Sequence, residues 1–118
     1  MTEENILNAS ANVGIIGMGY VGLPLAVEVA KAGFDVRGFE ISAERVKMLN
    51  NGENYIGDVD NNELRSLVRD GKLLASVDFE GISNCDIVIV CVPTPLDVFK
   101  QPDLSYIVNA SREISKYI

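Results

Sequence analysis

Apolar and polar residues fall along this chain in blocks whose periods separate strands from helices. Val13–Ile16 is a short apolar run ending at Gly17, which reads as a buried strand. Val21–Ala32 is apolar almost all round, with Glu28 and Lys31 as the main polar breaks. Such a helix belongs between layers rather than at a surface, and Gly33 is its stop. Asp35–Glu40 reads as a second strand. Ser42 caps a helix over Ala43–Asn51 that Gly52 ends, and Asp60 caps another over Asn61–Asp70 that Gly71 ends. Leu73–Val77 is a third strand. Asp86–Cys91 is β-branched and continuous, which predicts a fourth strand buried on both faces. Beyond a proline-rich loop, Asp103 caps a last helix with an apolar stripe of Leu104, Ile107, Val108, Ile114 and Ile118.

Strands alternating with helices imply a parallel sheet with helices on both faces. The expected fold is a Rossmann-type doubly wound parallel sheet in three layers, α/β/α. The chain stops on a helix where such a fold would turn back to a fifth strand. It therefore reads as a loose extension over residues 1–11 and one nucleotide-binding domain over 12–118, cut short before its last strands. Apolar surface bared by that cut predicts self-association of the chain.

Composition sharpens this picture. Of the 118 residues, 47% are apolar but only 7% aromatic, so the core is expected to be aliphatic. The net charge of −7 argues against nucleic acid and anionic membranes as partners. Its plainer meaning is solubility. The opening residues, MTEENILNAS, are polar and acidic, and no apolar run reaches membrane-span length. A reduced, cytoplasmic setting follows, with Cys85 and Cys91 as free thiols. With no histidine and no zinc-like cysteine spacing, no metal site is expected.

Four glycines fall within nine residues at the first strand–helix junction: Gly14, Gly17, Gly19 and Gly22. Gly17-Met18-Gly19-Tyr20-Val21-Gly22 is G-x-G-x-x-G, a weak string alone but placed here between a strand and a helix. Gly17 allows a tight turn, Gly19 lets a diphosphate approach the backbone, and Gly22 lets the helix pack on the strand. The helix N-terminus adds unpaired N–H groups and a positive dipole end. Gly14 lies inside the strand, and relief of packing against a neighbouring helix is its expected role. Pro24 falls in the first turn of a helix starting at Tyr20–Val21, where its missing N–H removes no bond. A glycine-rich turn without ligand, or a methyl-donor site, would use similar residues.

Glu40 favours a dinucleotide. It ends the second strand, 18 residues after Gly22, where an acid accepts hydrogen bonds from the adenine ribose. Its charge would repel a 2′-phosphate, which favours NAD over NADP. Arg45 could fold over the ribose or adenine, or simply be a solvated charge. Arg37 is expected to point away from Glu40. The loop after the fourth strand, with Val92, Pro93 and Thr94, should border the same ligand, although a rigid turn feeding the last helix would look alike. Neither cysteine has a histidine base or an electropositive setting, so both read as buried structural thiols rather than catalytic groups.

The strings GMGYVGLPLA, FEISAER, CVPTPL and PDLSY together resemble the N-terminal domain of the UDP-glucose/GDP-mannose dehydrogenase family, over Val13 to the end. CVPTPL and PDLSY look most like the branch acting on UDP-N-acetylglucosamine or UDP-N-acetylmannosamine. The resemblance implies oxidation of the C6 alcohol of a UDP-sugar to a carboxylate with two NAD+, in polysaccharide precursor synthesis, by an enzyme expected to be a homo-oligomer. Cofactor roles carry over to Gly17, Met18, Gly19, Tyr20, Val21, Glu40, Arg45 and Thr94. Glu40 stands where the family more often has Asp, and Gly57 where an acid is more usual. The family's catalytic cysteine lies in a downstream segment that this sequence does not contain. The chain alone is therefore expected to bind dinucleotide at best and to catalyse nothing. A stand-alone NAD-binding or sensing module and an S-adenosylmethionine-dependent methyltransferase are the other readings.

Overall fold

A computed structural model of the chain describes residues 11–92 and 105–116. Its elements are β1 (Asn12–Ile16), α1 (Gly22–Lys31), β2 (Asp35–Phe39), α2 (Ala43–Asn50), α3 (Asn61–Arg69), β3 (Leu73–Ser76), a 3-10 turn (Phe79–Asn84), β4 (Ile87–Val90) and α4 (Ser105–Ser115). The strands form one parallel sheet in the order β3-β2-β1-β4, with Val13 of β1 level with Val36 of β2 and Ile87 of β4. That order is doubly wound: the chain moves outward from β1 through β2 to β3, then returns to the far side of β1 for β4.

Alternate strand residues feed two cores. Val13, Ile15 and Val36 pack with Leu23, Ala26, Val27 and Ala30 of α1, and with Leu49 and Leu64 of α2 and α3. Ile16 and Phe39 face the other way, onto Phe79 and Ile82 of the 3-10 turn and Ala110 of α4. The three layers follow from this period-two alternation. The expected caps are in place: Ser42 Oγ accepts from the Arg45 N–H at 3.3 Å, and an Asp60 carboxylate oxygen from the Glu63 N–H at 2.9 Å. An ion pair of 3.1 Å between Lys31 and Glu63 joins α1 to α3.

The structure corrects four expectations. β4 is not buried on both faces: Ile87–Ile89 are partly exposed and Val90 is 39% exposed. It is the edge of the described sheet. Gly14 makes room not for a helix but for the Cys85 side chain and the Phe39 ring, which an added Cβ would meet at 2.8 and 3.1 Å. The first helix begins at Gly22, with Tyr20 and Val21 in the turn before it, which leaves Pro24 still within the first helical turn. In α4 the inward residues are Ala110 and Ile114, while Val108 lies half exposed, nearly opposite on the helix. The 3-10 turn had no counterpart in the sequence reading; Asp78 caps it by accepting from the Glu80 N–H at 2.9 Å. The Asp103 cap, the stripe residues Leu104 and Ile118, and residues 1–10 of the expected extension lie outside the described residues.

Candidate functional site

Three strand ends stop at one level. The Gly17 N–H donates to the Phe39 carbonyl at 2.8 Å, the Glu40 N–H to the Ser76 carbonyl at 3.0 Å, and the Cys91 N–H to the Ile16 carbonyl at 2.7 Å. The ladder thus continues just past each strand and releases the loops together at the carboxyl edge. A cavity of about 410 Å³ opens there. Gly17, Phe39, Glu40, Ser42, Arg45 and Val92 border it, and Asn109 and Ala110 of α4 close its far side.

The glycine turn is built on steric necessity. Gly17 has φ +92°, and a Cβ there would come within 2.6 Å of the Cys91 carbonyl oxygen. A Cβ on Gly22 would overlap the Gly17 carbonyl oxygen. Gly19 is different: among the described residues an added Cβ would meet only the Arg45 Nη1, at 3.3 Å. The Leu23 N–H donates to the Gly19 carbonyl at 3.1 Å, which starts the helical ladder. Amides ahead of Leu23 have no acceptor within α1, as at any helix start.

Glu40 is 6% exposed and deeply engaged. Its Oε1 accepts from the Met18 N–H at 3.1 Å and its Oε2 from the Ser42 N–H at 2.7 Å. Arg45 Nη1 lies 3.7 Å from Oε1. A carboxylate has about four lone-pair sites, so acceptor capacity remains beyond these contacts. Arg37 points away as expected, donating to the Val36 and Gly71 carbonyls at the opposite end of the sheet.

The structure therefore brings Gly17, Glu40, Arg45 and Val92 around one cavity, with Gly19 and Gly22 in the turn beside it. Met18 differs from a simple contact residue: its side chain is fully buried against Gly38, and only its main chain faces the site. Tyr20 and Val21 are 78% and 68% exposed and do not border the cavity. Pro93 and Thr94 lie outside the described residues. Sequence reasoning missed Ser42 as a wall residue, although it follows Glu40 by two positions, and missed Phe79 and Asn109, which no motif marks. It also missed Tyr55, whose hydroxyl donates to the Met18 carbonyl at 2.7 Å.

Burial pushes the Tyr55 phenol up to about 12; the Glu40 charge adds to this and Arg45 opposes it. The folded value lies above the ordinary 10, so the fold favours the neutral phenol. Its contribution to stability is full below about pH 10 and is lost as pH rises toward 12. In an ultraviolet titration, Tyr55→Phe is expected to remove a phenolate that appears only toward pH 12; an unchanged curve would contradict this placement. Cys85 and Cys91 are only partly buried, not buried as expected, and the burial they have raises both thiols. Among the described residues there is no cluster of three or more metal-ligating side chains, and no helix is long and apolar enough to cross a membrane. A larger depression, about 690 Å³, opens between Arg37, Ser76 and Asn84; no residue of the glycine turn borders it.

Comparison with known proteins follows the same residues. The sequence model described as "UDP-glucose/GDP-mannose dehydrogenase family, NAD binding domain" matches residues 11–118. UDP-N-acetyl-D-glucosamine 6-dehydrogenase of Pseudomonas aeruginosa is 41% identical over 106 residues, 90% of this chain and 24% of that protein. The solved UDP-D-ManNAc dehydrogenase of Pyrococcus horikoshii superposes with a TM-score of 0.83 at 33% identity, over 91% of this chain and 26% of its own. A ternary complex of GDP-mannose dehydrogenase from Pseudomonas aeruginosa gives 0.81 at 30% identity, over 86% and 24%. The chain spans about a quarter of the length of the relatives it matches.

Proposed function

Because the chain belongs to the UDP-glucose/GDP-mannose dehydrogenase family, matching its NAD binding domain, we propose that it supplies the cofactor half of a nucleotide-sugar 6-dehydrogenase. The observation that carries this reading is the glycine turn, where two Cβ positions are closed by backbone, beside a buried acid at the end of β2. Those residues fit NAD. The turn from Gly17 to Gly22 would take the diphosphate, with Tyr20 and Val21 offering main chain rather than side chains; Met18, whose N–H is given to Glu40, would shape the turn. Glu40 would take the adenine ribose hydroxyls. Arg45 and Val92, and by sequence position Pro93 and Thr94, would flank the nucleoside.

When bound, NAD supplies a two-electron acceptor. What the chain's own residues do is hold and orient it: the fixed amides and the dipole of α1 face the phosphates, and the Glu40 carboxylate admits hydroxyls while rejecting a 2′-phosphate. The substrate we infer is a UDP-N-acetylhexosamine, oxidised at C6 to a carboxylate with two NAD+; similarity to the dehydrogenases of such sugars supports this. The domain is taken as residues 12–118. The 118 residues alone are proposed to bind cofactor without turning over a sugar, since both thiols are raised by burial rather than activated. The whole protein is read as a cytoplasmic homo-oligomer with no nucleic-acid or membrane partner; the net charge of −7 of this chain supports the last two points alone. No feature of the site favours a methyl donor or a separate sensing role.

Calorimetric titration of the chain with NAD+ and NADP+ tests the reading. NAD+ is expected to bind at least about tenfold more tightly, the scale of one charged hydrogen-bonding group. Equal affinity, or preference for NADP+, would contradict the assignment of Glu40.

A further inference from the structure

Tyr55 stands outside every motif in the sequence, in the loop between α2 and α3, yet it touches two parts of the site. Its hydroxyl holds the Met18 carbonyl at 2.7 Å within the glycine turn. Its ring carries the Arg45 guanidinium, 5.6 Å from the ring centroid. Arg45 Nη1 lies 3.7 Å from Glu40 Oε1, and Glu40 Oε1 accepts from the Met18 N–H at 3.1 Å. Four residues therefore close a circuit: Tyr55 to Met18, Met18 to Glu40, Glu40 to Arg45, and Arg45 back to the Tyr55 ring.

We propose that Tyr55 is a positioning residue for cofactor binding, a platform that holds Arg45 across the gap between the ribose acid and the diphosphate turn. The proposal rests on the NAD-binding reading above. Its physical basis is the side chain it controls. The Arg45 side chain is 42% exposed on a flexible stem, and without a planar surface beneath it the guanidinium would spread into solvent. Over the Tyr55 ring, cation–π attraction fixes it near both Gly19 and Glu40. The hydroxyl adds a second function: by holding the Met18 carbonyl it fixes the main chain whose N–H meets Glu40.

The test is a double-mutant cycle on the 118-residue chain, with NAD+ affinity read by calorimetry and folding by circular dichroism. Tyr55→Leu is expected to weaken binding about tenfold, and Arg45→Ala by a similar factor. Tyr55→Leu added to Arg45→Ala should weaken it by much less than tenfold, leaving only the share of the hydroxyl on Met18. Tyr55→Phe keeps the ring and should recover most of the loss seen in Tyr55→Leu. Wild-type affinity in Tyr55→Leu would overturn the proposal. So would an equal loss with and without Arg45, which would mean that Tyr55 acts only through the fold. If Tyr55→Leu does not fold, Arg45→Lys decides: it keeps the charge but not the planar face, and wild-type affinity there overturns the platform role. Failure of the wild-type chain to bind NAD+ would overturn the cofactor reading and this proposal together; binding that ignores both Tyr55 and Arg45 overturns only the latter.

Discussion

Glu40→Ala is expected to weaken NAD+ binding by about 1.5–3 kcal/mol, the loss of hydrogen bonds to a charged group. That corresponds to roughly tenfold to more than a hundredfold in affinity. It should also lower the melting temperature, because the carboxylate serves the protein as well as the ligand. The Met18 and Ser42 amides would lose their acceptor, and Arg45 its counter-charge at 3.7 Å. Glu40→Gln separates these roles. Its single carbonyl oxygen can serve only one of the two amides, so some instability remains. With the negative charge gone, discrimination against NADP+ should shrink. Calorimetry with both dinucleotides, alongside thermal unfolding, reads all three effects. Undiminished NAD+ affinity in Glu40→Ala would remove this residue from the site.

The glycines allow a sharper separation of folding from binding. Gly17→Ala is expected to destabilise the chain by about 3 kcal/mol, from a non-glycine residue at positive φ plus overpacking against a carbonyl. The neighbour at 2.6 Å is backbone of Cys91 and cannot swing aside. Gly22→Ala should be similarly damaging, since its Cβ would fall on the Gly17 carbonyl oxygen. Gly19→Ala should behave differently. Its only near neighbour among the described residues is the end of the Arg45 side chain at 3.3 Å, so the fold should survive. Its methyl would nevertheless occupy the approach of the diphosphate, and NAD+ affinity should fall at least about tenfold. Gly57→Ala is the control, with nothing among the described residues within 4 Å of its Cβ. Denaturant unfolding and calorimetry on the four variants check the pattern. A Gly19→Ala chain that folds and binds normally would mean that no phosphate rests there.

What could be read from sequence was what local chemistry decides. Ser42 and Asp60 announce their helices because a side-chain oxygen beside orphan amides is a local device. The glycine turn is equally local, and Glu40 is found by counting along one strand. The exposure of β4 was hidden because an apolar run cannot say whether a strand is central or at an edge. The 3-10 turn over Phe79–Asn84 is too short to set up a period, though Phe79 and Ile82, three apart, form its buried side. Met18 looked like a ligand contact by position, but its side chain belongs to the core beneath Gly38. Tyr55 was invisible because its partner, Met18, is 37 residues away in the chain. No spacing rule reaches across that distance.

The central claim is that a dinucleotide's diphosphate rests on the amides between β1 and α1. Amide-resolved NMR of the chain during NAD+ titration tests it most directly. The largest shifts are expected at Gly17, Met18, Gly19 and Tyr20, with smaller ones at Ser42, Arg45 and Val92. Shifts confined to the other depression, around Arg37, Ser76 and Asn84, with the glycine turn unmoved, would contradict it.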